Sequence, residues 1–384
     1  VSVVPDPEFT AVDEAAADAI VTGEIPGVVI LIGRRDEILY HRAFGWRAVV
    51  PEPEPMTTDT IFDIASLTKP VGTTIAIMTL VERGRVALDA PLGRYLREFN
   101  SPQFAGATIR RMLTHSAGFP GYPPNAAVKR RFPRAIRDLA AMKLDYPPGT
   151  GFQYSDTGFV LLGEVVRRTS GEPLDRYLDR VLVRPLGLRD TTFRPDARQL
   201  RRTAPTEWHD GHMLRGTVHD PRARLLGGVA GHAGMFSTAA DLARITQMLL
   251  RSGTANGKRV LGAPSVKLMW AAAPDGNGKR TLGWDRSSRY SLIMSPFFPA
   301  GSVGHTGFTG TSLWIDPPSG TYLIVLTNRV HPSGGSAARI RELRVRVAAA
   351  AGTALFAPQT LPPPAAATAS DAPQAGNDAT AVPS

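Results

Sequence analysis

The chain has 384 residues, of which 43% are apolar and 20% charged, with a formal net charge of +10. That length holds one large domain or two modest ones, and that apolar share is enough for a buried core. The absence of cysteine excludes disulfides, thiolate metal sites and a catalytic thiol. Only six of the cations are lysines, and the arginines are scattered instead of gathered into a basic arm, so a nucleic-acid function is not indicated. No apolar run approaches the roughly 20 residues that a membrane-spanning helix needs.

The chain begins "VSVVPDPEFT" without an initiator Met, so any signal peptide would already be gone. Residues 9–22, "FTAVDEAAADAIVT", place Phe9, Val12, Ala16 and Ile20 at helical spacing. Two strand-like runs follow, "GVVILIG" (27–33) and "EILYHRAFG" (37–45), joined by the polar "RRD" as a hairpin. Residues 67–82 read as a buried helix, and the middle third is dominated by helical patterns: "ATIRRMLTH", "GFVLLGEVVRRTSG" and "PLDRYLDRVLVRPLG". Strands return late as "RTLGWD", "GSVGHTG", "TSLWID" and "TYLIVLTN", followed by an amphipathic helix at about 335–351. Residues 357–384 are low-complexity Ala/Pro/Ser with hardly a large apolar side chain, and are expected to be disordered. Strands and a helix at both ends, with helices between, predict an α/β (α+β) unit over 1–356. An α/β part (about 7–65 and 235–356) receives a helical part (about 66–234), with a site in the cleft between them.

Three stretches could carry chemistry. In "DIASLTKP" (63–70), Ser66 and Lys69 lie at i and i+3 among apolar neighbours, so a helix would put amine and hydroxyl on one face. A serine hydroxyl needs a neighbour to take its proton, and a lysine of lowered pKa can do so. The same pattern also fits a helix start with an exposed lysine. In "YSD", Tyr154-Ser155-Asp156, a tyrosine beside a cationic amine can ionise below its normal pKa of about 10 and act as a general base. It equally fits a packing aromatic with Asp156 as a helix cap. In "GHTGFTG" (304–310), glycines permit close backbone approach, and His305, Thr306 and edge N–H groups could face a substrate or a developing oxyanion. A Gly-rich hairpin turn is the alternative.

In this order and on these elements, the three motifs resemble the serine β-lactamase and penicillin-binding-protein superfamily, in particular its class C-like branch of class C β-lactamases, D-Ala-D-Ala carboxypeptidases and esterases. The resemblance covers roughly residues 10–350 and extends to "LTHSAGFP" (113–120), "PLGLRDT" (185–191) and "GGVAGHAGMFSTAADLAR" (227–244). It implies an antiparallel sheet flanked by the terminal helices, Ser66 as acyl-accepting nucleophile, Lys69 as its activator and Tyr154 as general acid/base. The N–H groups of Ser66 and Phe308 would form the oxyanion hole, and Asp156, His305, Thr306 and Gly307 would meet the substrate. It implies no cofactor, a small-molecule or peptide substrate and a periplasmic or secreted location; it says nothing of oligomeric state.

Two positions depart from the family pattern. Asp156 stands where an Asn is usual, which removes an amide donor and offers a carboxylate to Lys69. His305 replaces the Lys of the β-lactamases, which weakens the grip on a β-lactam carboxylate at neutral pH. The expected function is therefore a serine hydrolase acting through an acyl-enzyme on D-amino-acid peptides or small carboxylic esters. A β-lactamase and a non-catalytic penicillin-recognising module are the alternatives. The segment "WHDGHMLRGTVHD", with His209, His212 and His219, and also His232, has histidines enough for zinc. Their spacing matches no ligand pair on a helix, and loop-stabilising hydrogen bonds are the preferred reading.

Overall fold

A computed structural model describes residues 9–129, 134–273, 278–286, 288 and 298–356. The expected disordered tail, 357–384, lies outside the described residues. The main sheet contains β1 (Gly27–Arg34), β2 (Glu37–Ala48), β3 (Glu54–Pro55), β4 (Val303–Thr306), β5 (Ser312–Asp316) and β6 (Thr321–Thr327). Its spatial order is β4-β5-β6-β1-β2-β3, with every neighbouring pair antiparallel. Strand β1 sits in the middle and pairs Val28 with Thr327 on one side and Phe44 on the other. The N-terminal and C-terminal parts of the chain thus close one sheet.

The continuous apolar run of β1 follows from cover on both faces. Alternate residues point to opposite sides of a strand. Val28, Ile30 and Ile32 pack with Leu323 and Val325 against two helices, α1 (Thr10–Val21) and α5 (Ala337–Leu355). Val29 and Leu31, with Ile324 and Leu326, face the larger core. That core also holds Leu242 and Ile245 of α4 (Ala239–Leu250), Phe159 and Leu162 of α3 (Asp156–Ser170), and Ile75 and Met78 of α2 (Ile75–Glu82). The helices between β3 and β4 in sequence therefore pack on the sheet face opposite the terminal helices.

Two expectations are corrected. Residues 67–82 are not one regular helix: a 3-10 turn over Ala65–Leu67 leads into a wide π-helical turn over Lys69–Thr74 before α2 begins. Pro70 supplies the reason, since in an α-helical turn its ring would press on the carbonyl of Ser66, four residues back. "RTLGWD" is not a strand either. Arg280 and Asp285 make isolated bridges, and Gly283, at φ +78°, turns the chain where it abuts Thr74.

Candidate active site

Ser66 sits in the middle of the 3-10 turn, and the residue before it, Ala65, has φ +46°. A left-handed alanine is costly and persists only where its surroundings fix it. Here the Ala65 N–H donates to Asp63 Oδ1 (2.9 Å), while the other Asp63 oxygen accepts the N–H of His219 (2.7 Å). The hydroxyls of Thr309 and Thr311 donate to the carbonyls of Asp63 (2.7 Å) and Ile64 (3.1 Å). Residues just beyond β4 thus hold the turn that presents the serine. Burial pushes the Asp63 carboxyl up, partly offset by the backbone N–H groups it accepts.

Lys69 is fully buried, one turn after Ser66. Its Nζ donates to Ser66 Oγ at 2.9 Å and to the His232 carbonyl at 3.0 Å, and lies 2.7 Å from Asp156 Oδ1. The Tyr154 hydroxyl hydrogen-bonds with both Ser66 and Lys69, and Lys69 Nζ is 4.8 Å from the centre of the Tyr154 ring. The structure brings Ser66, Lys69, Tyr154 and Asp156 into one constellation. Their electrostatics differ from the sequence reading. Burial disfavours the charge on Lys69, but Asp156 and then Tyr154 outweigh it and raise the pKa of the amine instead of lowering it. Burial, joined by the charge of Asp156, likewise keeps the Tyr154 phenol above its ordinary value despite Lys69. Both groups are protonated at neutral pH.

Asp156 is not the cap of α3. Ser155 is, its Oγ accepting the Gly158 N–H at 3.0 Å, which leaves the Asp156 side chain in the first turn and free to reach Lys69. The placement of Tyr154 depends on His115, a residue to which the sequence analysis assigned no role although it lies within "LTHSAGFP". His115 has φ +58°, is buried, and accepts the Ser155 N–H on Nδ1 at 3.0 Å, so its proton is on Nε2. Its ring packs 4.6 Å from that of Tyr154. Burial, then the charges of Arg280 and Lys69, push His115 well below the usual imidazole range.

His305 is buried on β4 with Nδ1 2.8 Å from the Thr306 carbonyl, and it lies 5.9 Å from the Tyr154 ring, centre to centre. Burial and the same Arg280 and Lys69 charges keep it neutral. Gly307 carries no side chain for a visible reason: a Cβ there would meet the Ile64 carbonyl at 2.7 Å. Its own carbonyl accepts from Arg344 Nη2 at 3.0 Å. Phe308 exposes its ring, stacked on His219 (5.4 Å) with the Arg329 guanidinium 4.6 Å away, and its N–H has no partner among the described residues.

These groups line a cavity of about 500 Å³ that includes Ser66, Tyr154, Asp156, His305, Thr306, Gly307 and Phe308. Its wall also holds Arg280, which the sequence analysis missed. This fully buried guanidinium pairs through Nη1 with Asp285 Oδ2 at 3.0 Å, while its Nε and Nη2 have no hydrogen-bond partner among the described residues.

The histidine cluster is dispersed. His209 and His212 are exposed on a small hairpin, His219 pairs with Glu207 at 3.0 Å, and His232 Nε2 lies 2.9 Å from Asp220 Oδ1. Asp220 also caps the short helix Pro221–Leu225 by accepting the Ala223 N–H. Asp156, Asp220 and His232 bring one polar atom each within 4.8 Å of one another, and the Lys69 ammonium occupies the Asp156 carboxylate of that group.

The comparisons with known proteins agree with this fold. The Beta-lactamase family model matches residues 12–347, so the chain belongs to the beta-lactamase family. An Escherichia coli O157:H7 protein named "Putative D-alanyl-D-alanine carboxypeptidase" is 32% identical over 346 residues, 80% of this chain and 79% of that protein. The N-acetylmuramyl-L-alanine amidase of Bacillus subtilis (strain 168) is 31% identical over 359 residues, 83% of this chain and 80% of that one. Among solved structures, a penicillin-binding protein homologue from Caulobacter crescentus superposes with a TM-score of 0.75 at 24% identity, covering 92% of this chain and 99% of that one. The family is one of hydrolases, and a carboxypeptidase name occurs among the relatives and a carboxylesterase name among the structures that share the fold. Among the described residues, no helix is long and apolar enough to cross a membrane.

Proposed function

We propose that the protein is a serine hydrolase working through an acyl-enzyme, with D-amino-acid peptides or small carboxylic esters as substrates. The observation that supports this most is the 2.9 Å approach of Lys69 Nζ to Ser66 Oγ, with the Tyr154 hydroxyl bonded to both. In this reading Ser66 Oγ attacks the substrate carbonyl, and the resulting oxyanion is met by the N–H groups of Ser66 and Phe308. Tyr154, protonated at neutral pH, donates to the leaving group and is reprotonated through Lys69. Water then attacks the ester, and the acid is released.

A carboxylate on the substrate would find Arg280 in the cavity wall, with Nε and Nη2 that no described residue engages in a hydrogen bond. That favours a peptide with a free C-terminus over a simple ester. His305, neutral and bonded to its own neighbour's carbonyl, offers no second cation for a β-lactam carboxylate. The test is turnover of p-nitrophenyl acetate, a D-Ala-D-Ala peptide and nitrocefin by the wild type and by Ser66→Ala. The expected result is Ser66-dependent turnover of the first two. Turnover that survives Ser66→Ala overturns the scheme, nitrocefin hydrolysis far above the others marks a β-lactamase, and acylation without release marks a penicillin-recognising module.

A further inference from the structure

The proton that leaves Ser66 needs an acceptor, and the two groups nearest to it do not provide one unaided. Lys69 is an ammonium and Tyr154 a phenol at neutral pH. An ammonium has three N–H donors and no lone pair, so it accepts a proton only while giving another away. Lys69 Nζ donates to Ser66 Oγ at 2.9 Å and to the His232 carbonyl at 3.0 Å, forms an ion pair with Asp156 Oδ1 at 2.7 Å, and is bonded to the Tyr154 hydroxyl. Of these partners, only Asp156 is a carboxylate.

We propose that the Asp156 carboxylate is the terminal proton acceptor for Ser66, reached through Lys69, and that His232 and Asp220 hold this relay in place. The inference rests on the acyl-enzyme reading above and gives Asp156 a task other than contact with substrate. As the bond from Oγ to the carbonyl carbon forms, the Ser66 proton passes to Lys69 Nζ while one Lys69 proton passes to Asp156 Oδ1. Lys69 ends the step as an ammonium. When the leaving group departs it takes the proton of Tyr154. The Asp156 proton then returns through Lys69 to the phenolate, so the net transfer is from Ser66 to the leaving group. In the second half, a water proton goes to Tyr154 as the Tyr154 proton goes to Lys69 and a Lys69 proton goes to Asp156. Cleavage of the ester returns that proton by way of Lys69 to Ser66 Oγ.

The surroundings fit an acceptor that must be fixed in place. The His232 carbonyl accepts from the amine at 3.0 Å, and the loop that bears it is stitched to the serine's segment. The hydroxyl of Thr73 donates to the Gly231 carbonyl (2.7 Å), and the Met235 N–H donates to Thr68 Oγ1 (3.2 Å). On the neighbouring carboxylate, Asp220, one oxygen, Oδ1, meets both His232 Nε2 at 2.9 Å and the Ala223 N–H at 2.7 Å. Asp156 is the carboxylate that pairs with Lys69, at 2.7 Å.

Asparagine at this position tests the idea directly, because an amide oxygen accepts a hydrogen bond from Lys69 but not a proton. With p-nitrophenyl acetate and Ser66→Ala as the blank, Asp156→Asn is expected to lower kcat by about a hundredfold or more, the scale of general acid–base catalysis, with KM within about threefold of wild type. Asp156→Glu, which restores a carboxylate, is expected to recover at least about a tenth of the wild-type kcat. The proposal is overturned by an Asp156→Asn enzyme of wild-type kcat, by a rise confined to KM, or by a Glu variant no better than the Asn one. A melting curve of each variant separates loss of the relay from loss of the fold. Failure of the acyl-enzyme reading is distinct: turnover would then persist in Ser66→Ala.

Discussion

Gly307 and Ile64 approach so closely that a Cβ on the first would stand 2.7 Å from the carbonyl oxygen of the second. The contact joins the end of β4 to the residue two before Ser66. Gly307→Ala must push these segments apart, and with them the N–H groups of Phe308 and Ser66. The expected result is a loss of about 1–3 kcal/mol in stability, as for other overpacked sites, measured by denaturant unfolding. A fall in kcat of about 10²–10³, the cost of losing one oxyanion donor, should accompany it with KM little changed. An unchanged kcat would remove Phe308 from the oxyanion hole.

Arg280 offers a prediction about selectivity. Arg280→Ala would leave Asp285 buried without its partner, so Lys is the better replacement. Arg280→Lys keeps a charge beside Asp285 and deletes the unpartnered Nε and Nη2. For a D-Ala-D-Ala peptide, KM is expected to rise about tenfold, roughly one charge-assisted hydrogen bond. Turnover of p-nitrophenyl acetate, which has no carboxylate, should stay near wild type. Equal effects on both substrates would contradict the carboxylate role.

The buried histidines set a direction for stability against pH. His115 and His305 are pushed well below the ordinary 6.5 by burial and by Arg280 and Lys69, so the folded chain refuses protons that the unfolded chain accepts. Stability is therefore full above about pH 6.5 and declines as pH falls through and below that value. Melting temperatures measured from about pH 8 down to about pH 5 should fall, and His305→Asn should flatten the slope. A flat wild-type profile would mean that neither imidazole stays neutral.

Ser155 joins a helix terminus to the site. Its Oγ accepts the Gly158 N–H and donates to the Pro120 carbonyl at 2.7 Å. Ser155→Ala is expected to cost about 1 kcal/mol by chemical denaturation, the usual value of a lost N-cap. Because Tyr154 and Asp156 flank it, a lower kcat should follow. Intact stability would show that another group caps α3.

The sequence disclosed what is local and concealed what depends on distant partners. Ser66 with Lys69, Tyr154 with Asp156, and His305 to Phe308 lie in short motifs, and the fold gathers them at one cavity. The apolar run of β1 and the period of α1 likewise announced the sheet and its cover. The role of His115 depends on Ser155, forty residues away in sequence, and the unpartnered edge of Arg280 depends on how a turn sits in the cavity wall. No spacing rule points to either. A helix cap was one of the places open to Asp156, but Ser155 takes it and the Asp156 carboxylate pairs with Lys69. The direction of the Tyr154 shift could not be read from a cationic neighbour alone, since burial and the Asp156 carboxylate outweigh Lys69. Pro70 broke a helix that its apolar neighbours suggested.

The left-handed alanine ahead of Ser66 bears on how this protein could be engineered. A non-glycine residue at φ +46° costs about 1–3 kcal/mol, so Ala65→Gly is the sort of change a stability screen would select. The same change would free the turn that Asp63, Thr309 and Thr311 hold taut, and let Ser66 wander from Lys69. Gains in robustness belong on exposed positions of the outer helices; at residue 65 the discomfort of the backbone is what keeps the serine aimed.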